Sequence, residues 1–209
     1  MMTQAALLGP KAKAKAKPKA HNTRTILKGN SQWYTPGYLI DIARSIMGGI
    51  DLDPASCDVA NQTVKAARFY HDDKAGGGLV KSWHGRVWLN PPYADGIMGA
   101  FIDKAIEEHR AGRMTEALIL TNASTEVAWF RAAANYAGGF CLLKRRVRFI
   151  YGGPEEDKPK DKGAAQGQAM FYFGPQWDRF SEALGPHGLI CRLVNQAGGY
   201  APARLPGVL

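Results

Sequence analysis

Asn90-Pro91-Pro92-Tyr93 is the tetrapeptide of this 209-residue chain whose residue types are best suited to chemistry. Each proline fixes its φ at about −65° and removes a backbone N–H donor. What remains is a set of acceptors, the Asn90 side-chain oxygen and the Pro91 carbonyl, with Tyr93 as an exposed aromatic plate just beyond. A planar ring bearing an NH2 group suits such a surface. It stacks on Tyr93 and donates one hydrogen to Asn90 and the other to Pro91. The amine of such a ring is a poor nucleophile, because its lone pair is delocalised. Two acceptors favour the rehybridised, partly positive nitrogen of an attacking transition state, stabilising charge as it develops. No base of raised pKa is needed for the attack, since the proton leaves after transfer. The competing reading is a proline-stiffened strand exit followed by a core tyrosine.

Position favours the chemical reading. The tetrapeptide follows an apolar strand at 87–89 and precedes an amphipathic helix at about 95–111. The periodicity predicts further strands at 50–53, 68–71, 117–120, 140–143, 147–150, 168–173 and 189–194. Helices are expected over 36–47, with Thr35 as N-cap and Pro36 at the first helical position, and over 59–67 and 177–184. One more, capped by Ser124 or Thr125, runs to about 136. Strands alternating with helices predict an α/β fold, a mostly parallel sheet with helices on both faces. In such sheets ligands bind beyond the carboxyl ends of the strands, where the strand order reverses. Two motifs fall at such ends, Asp51-Leu52-Asp53-Pro54-Ala55-Ser56 and the Asn90 tetrapeptide.

The formal net charge of +9 is uneven. Residues 1–30 carry seven lysines and arginines and no acid, so the remainder is nearly neutral. The low-complexity run from Lys11 to Lys19 predicts a disordered basic tail. Such a tail either tethers a polyanion through counterion release or merely solubilises the chain. Residues 31–195 are expected to form the folded domain, with a mixed-charge loop at 152–167, and 196–209 a Gly/Pro-rich tail. No apolar run reaches the roughly 18 residues of a membrane span. Cys57, Cys141 and Cys191 form no C-x-x-C pair and the five histidines share no ligand spacing, so no metal is expected and a reducing cytoplasm is the expected location.

The run Val87-Trp88-Leu89-Asn90-Pro91-Pro92-Tyr93, with Asp51 to Ser56, Trp33-Tyr34-Thr35-Pro36 and Gln166 to Phe173, resembles the phage-type DNA adenine N-6 methyltransferases, the phage Dam family. The resemblance covers roughly residues 31–195. It implies a Rossmann-like methyltransferase fold, S-adenosylmethionine as methyl donor and the N-6 amino group of adenine in DNA as acceptor. Asn90, Pro91, Pro92 and Tyr93 match the family's catalytic motif residue by residue. The family further implies a cofactor site at Asp51, Asp53, Pro54, Ala55 and Ser56, with Asp53 better placed than Asp51 to meet the methionine ammonium, unless it only caps the turn. The broader methyltransferase pattern has a glycine-rich loop there, which Pro54-Ala55-Ser56 replaces. Tyr34, Thr35 and Pro36 match a segment lining the methionine pocket, so Thr35 serves as helix cap, cofactor contact or both. Asp72 or Asp73 is the candidate partner of the adenosine, and the short spacing between the motifs implies a trimmed βα unit.

An adenine in a duplex must be flipped out to reach such a site. Lys144, Arg145, Arg146 and Arg148 are the candidate DNA contacts, with the 152–167 loop; the same cluster also suits a solvated edge strand. Alternation places Arg146 and Arg148 on one face and Val147 and Phe149 on the other. The alternative acceptors are an RNA base or a protein glutamine, since Asn-Pro-Pro-Tyr also occurs in methyltransferases acting on those. A decayed, non-enzymatic DNA-binding scaffold is disfavoured by the intact tetrapeptide. A monomer is favoured, and the family implies protection of phage DNA from host restriction as one biological role.

Overall fold

Apolar side chains alternate along the central strands, so each strand feeds two cores. The computed structural model describes residues 33–71, 77–93, 96–153 and 166–193. In chain order the elements are β1 (Trp33–Tyr34), α1 (Gly37–Met47), β2 (Leu52–Ser56), α2 (Asp58–Val64), β3 (Arg68–His71), α3 (Gly77–Val80), β4 (Gly85–Leu89), α4 (Ile97–Arg110), β5 (Met114–Asn122), α5 (Ala128–Ala137), β6 (Gly139–Leu143), β7 (Ile150–Tyr151), β8 (Gln168–Phe173), α6 (Trp177–Leu184) and β9 (Gly188–Arg192). Val87, Leu89, Ala117, Ile119, Phe171 and Phe173 pack with α4 and α5 on one face. Trp88, Leu118, Leu120, Met170 and Tyr172 pack with α1 and α6 on the other. This period of two is the strand pleat expressed as burial.

Seven strands form the main sheet in the order β3-β2-β4-β5-β8-β6-β9. The first four are mutually parallel. Beyond β5 the expected parallel pattern gives way: β8 enters between β5 and β6 antiparallel to both, and β9 is antiparallel to β6. Buried strands of either direction carry the same apolar runs, so periodicity does not distinguish them. The chain runs from β2 outward to β3 at the sheet edge, then returns to β4 on the opposite side of β2. The order therefore reverses between β2 and β4, which makes their carboxyl ends the expected ligand crevice.

The two strands are tied together at their amino ends and unpaired towards their carboxyl ends. At the amino end, the Arg86 backbone N–H and Nε donate to Asp51 Oδ2 at 2.8 and 2.9 Å, and Arg86 Nη2 donates to Oδ1 at 2.8 Å. The ladder between β2 and β4 does not extend past Leu52 and Val87. On its other side β2 slips register against β3 between Asp53 and Ser56. Pro54, which has no N–H to give to a ladder, sits in that irregularity.

Several element ends differ from expectation. α1 has Pro36, in extended conformation, at its N-cap with no side-chain cap, and Thr35 does not cap it. α5 starts after Val127, so neither Ser124 nor Thr125 is its N-cap. α2 stops at Val64 because Lys65 is left-handed at φ 47° and the Asn61 amide bonds both the N–H and the carbonyl of Ala66. Of 147–150 only Ile150 is in a strand; β7 leaves the main sheet to pair antiparallel with β1. The basic tail, most of the 152–167 loop, the segment 196–209, Asp72 and Asp73 lie outside the described residues. Among the described residues no helix is long and apolar enough to cross a membrane.

Gly78 lets α3 approach β2: a Cβ there would stand 2.0 Å from the Pro54 carbonyl oxygen. Its own carbonyl accepts the Trp83 indole N–H at 2.7 Å, so the backbone cannot retreat freely. Gly78→Ala is expected to destabilise the protein by about 2–3 kcal/mol through overpacking. Thermal unfolding checks this; an unchanged midpoint would show that α3 shifts at no cost.

Candidate active site

Asn90 follows the carboxyl end of β4, and both ends of its side-chain amide are engaged. Nδ2 donates to Thr35 Oγ1 at 3.2 Å, and Oδ1 accepts from the Tyr93 hydroxyl at 3.0 Å. Thr35 is buried at 6% exposure. Tyr93 is half-buried rather than an exposed plate, its ring meeting Phe149 edge-on with centroids 6.0 Å apart. Burial pushes the Tyr93 phenol up, which keeps it a neutral donor. Pro91 is buried and Pro92 half-buried, so the loop is held by its prolines from below.

The segment Trp33-Tyr34-Thr35-Pro36 reaches Asn90 because β1 is paired to β7, Trp33 opposite Tyr151 and Tyr34 opposite Ile150. Tyr34 lies flat against Gly152, where a Cβ would fall 1.9 Å from its ring. The Tyr34 hydroxyl accepts a weak bond from the Cys57 thiol at 3.8 Å, and burial pushes this phenol up. Cys57 is more than packing: it is the N-cap of α2, its sulfur accepting from the Ala60 N–H at 3.5 Å.

Across the crevice, the Asp53 carboxylate is buried at 2% exposure with the Ala55 N–H as a donor at 3.1 Å. Burial pushes its pKa up to about 7, only partly offset by the Ala55 N–H and by Ser56. The Ser56 hydroxyl lies near that carboxylate yet completes no hydrogen bond of good geometry, and it is buried without a partner. Pro54 is buried and Ala55 packs against the core. A buried carboxylate beside an unpartnered hydroxyl suits a ligand that brings a cation and further hydrogen bonds. Asp51 is not brought to this group. It is at the opposite end of the strands, and the Arg86 guanidinium holds its carboxyl below the usual range. Two residues along a strand suffice to separate it from the crevice.

The candidate DNA contacts divide. Lys144 turns away, its ammonium donating to the Pro186 carbonyl and its N–H to the His187 carbonyl at 3.0 Å. Arg145, Arg146 and Arg148 are exposed, Val147 is buried and Phe149 half-buried, as alternation predicts. The Val147 N–H donates to Gln168 Oε1 at 2.8 Å, which fixes this segment to β8. Phe149 and Gly152 are site neighbours that sequence reasoning does not single out. The signal for Phe149 is its place on the inner face of that alternation; for Gly152 there is none.

The seven-stranded, mostly parallel sheet with helices on both faces and a strand order that reverses between β2 and β4 is that of a Rossmann-like methyltransferase fold. The profile of the DNA N-6-adenine-methyltransferase (Dam) family matches residues 22–194. The chain belongs to that family, whose activity is methylation of adenine at N-6 in DNA. No curated protein matches it.

Proposed function

We propose that the protein transfers a methyl group from S-adenosylmethionine to the N-6 amino group of an adenine flipped out of DNA, with Asn90, Pro91, Pro92 and Tyr93 as the catalytic motif. The observation that carries this is the Asn90 amide, whose oxygen faces the Tyr93 hydroxyl while its nitrogen is turned to Thr35. S-adenosylmethionine supplies an electrophilic methyl group on a sulfonium, and Asp53, the unpartnered Ser56 hydroxyl, Pro54, Ala55, Tyr34, Thr35 and Pro36 are the residues that would hold it. Asp53 would receive the methionine ammonium there, a cation that would offset the cost of the buried carboxylate.

Asn90 Oδ1 and the Pro91 carbonyl accept the two N–H groups of the adenine amine, and Tyr93 replaces the stacking lost on flipping. Bond formation from the nitrogen lone pair to the methyl carbon would be matched by cleavage of the sulfonium–methyl bond, whose electron pair stays on the departing thioether sulfur, and positive charge would build at the nitrogen between those two acceptors. The surplus proton then leaves to water. Arg145, Arg146 and Arg148 meet the DNA beside the crevice, and the reaction runs in the cytoplasm.

Nucleoside mass spectrometry on DNA from a methylation-deficient bacterium expressing the protein tests this. N-6-methyladenine is expected with the wild type and at a far lower level with Asn90→Ala. Unmodified DNA from soluble protein that still binds S-adenosylmethionine would move the acceptor to RNA or a protein glutamine.

The lysine-rich segment supplies the nonspecific part of DNA affinity in this proposal. Removing residues 1–28 takes away seven cationic side chains. The slope of log affinity against log salt is expected to flatten by about 0.9 for each phosphate that the shortened protein no longer neutralises. A salt titration giving the same slope for both forms would exclude these lysines as phosphate partners.

A further inference from the structure

The carboxyl edge of the sheet continues past the crevice. β6 is antiparallel to β8, which is antiparallel to β5, so β6 runs in the direction of β4 and β5. Its carboxyl end, from which Lys144 follows, therefore lies on the same edge of the sheet as Asn90. β9 runs the other way and begins on that edge, with Gly188 opposite Leu143. The turn before it, Gly185–His187, is fastened to the basic segment: the Lys144 N–H donates to the His187 carbonyl at 3.0 Å, and the Lys144 ammonium to the Pro186 carbonyl. The first turn of α1 comes to the same place. Tyr38 lies three residues after Thr35, the partner of Asn90. Its ring stacks on that of His187, with centroids 6.3 Å apart and planes 29° from parallel.

Two features make this aromatic pair more than a surface contact. Among the described residues neither the Tyr38 hydroxyl nor the His187 imidazole has a hydrogen-bond partner, and Tyr38 is 49% exposed, so a ligand can reach it. The charge around the pair is also one-sided. Residues 33–40, 144–152 and 185–190 hold four cations and no acid, while residues 31–209 as a whole are nearly neutral. Arg145, Arg146 and Arg148 are exposed, and the one acid of α1, Asp41, is paired with Arg44 at 3.6 Å. A face of cations and hydrogen-bond donors without acids complements a polyanion.

We propose that Tyr38 and His187 are DNA-backbone contacts, extending the DNA face from the crevice past Arg148, Arg146 and Arg145 to α1 and the turn before β9. The Tyr38 hydroxyl and a His187 ring N–H donate to phosphate oxygens of the DNA flanking the flipped adenine. They hold the duplex in place and read no bases. This rests on the reading of the three arginines as DNA contacts.

The test measures filter binding of labelled duplex DNA from a methylation-deficient bacterium over a range of salt. It compares the full wild-type chain with Tyr38→Phe, His187→Ala and a triple variant in which Arg145, Arg146 and Arg148 become alanine. Tyr38→Phe keeps the ring and loses only the hydroxyl. Its DNA Kd is expected to rise about fivefold with the salt slope unchanged, since a neutral donor neutralises no phosphate. His187→Ala is expected to weaken DNA binding by about as much. In both, kcat at saturating DNA and the Kd for S-adenosylmethionine should stay within about twofold, which a disturbed fold or a displaced Thr35 would not allow. The triple variant should lose affinity and flatten the slope. Wild-type DNA affinity in Tyr38→Phe overturns the proposal, whatever His187→Ala does. So does a change of oligomeric state at wild-type DNA affinity, which would make this face a contact between copies of the chain. If the triple variant binds DNA as the wild type does, the reading of the arginines fails and this inference with it. If it binds weakly while Tyr38→Phe binds normally, this inference alone fails.

Discussion

Asn90→Ala is expected to lower the single-turnover rate by about a hundred- to a thousandfold, the usual cost of deleting one preorganised group aimed at developing charge. The Pro91 carbonyl remains as the second acceptor, so activity should not vanish. The variant should still bind S-adenosylmethionine, because Asp53 and Ser56 belong to β2 and their environment does not include the amide. Stability should fall modestly. Truncation removes the partner of the buried Thr35 hydroxyl and the acceptor of the Tyr93 hydroxyl, and an unsatisfied buried polar group costs roughly 1–3 kcal/mol. Rapid-quench methylation with saturating DNA reads the chemical step directly. A rate within a few-fold of wild type would remove Asn90 from the mechanism, and a loss of cofactor binding of the same size would make it a scaffold residue instead.

Features encoded locally are legible in the sequence; those made by distant partners are not. The apolar run Val87, Trp88 and Leu89 identifies β4, and the tetrapeptide after it falls at a strand end on that pattern alone. Strand direction beyond β5 is not legible, because Phe171 and Tyr172 are equally buried whichever way β8 runs. Asp51 and Asp53 read alike as acids of one motif. Their fates differ because Arg86, 35 residues on, takes Asp51 into an ion pair, while Asp53 is left buried with a single backbone donor. Thr35 before a proline carries every local mark of a helix cap. Its hydroxyl goes to Asn90 instead, a choice decided by the pairing of β1 with a strand more than 100 residues later. Phe149 reaches Tyr93 by the same route, since the segment that presents the arginines returns through β7 to the crevice.

Asp53 should answer pH in opposite directions in two assays. Its carboxyl moves from an ordinary 3.8 to about 7 in the fold, chiefly through burial. The folded state therefore disfavours the ionised form, and this destabilisation is fully present above pH 7. It is relieved as pH falls from 7 towards 4, because the folded state then binds a proton that the unfolded chain does not yet hold. The upper bound on the effect is roughly 4 kcal/mol at 1.36 kcal/mol per pKa unit. Asp53→Asn cannot ionise, so the ligand-free variant should be more stable than the wild type at pH 8, with the gap closing by pH 5. Cofactor binding should run the other way. If, as proposed, the ionised carboxylate meets the methionine ammonium, wild-type affinity is expected to fall up to about tenfold per pH unit below 7. The variant should bind weakly at every pH, with that dependence gone. Thermal unfolding of both ligand-free proteins and calorimetric titration with S-adenosylmethionine between pH 5.5 and 8.5 measure the two arms. A stability gap that does not shrink on acidification would show that Asp53 is not a desolvated carboxylate. Equal cofactor affinities for the two proteins at pH 8 would show that its charge is not what meets the ammonium.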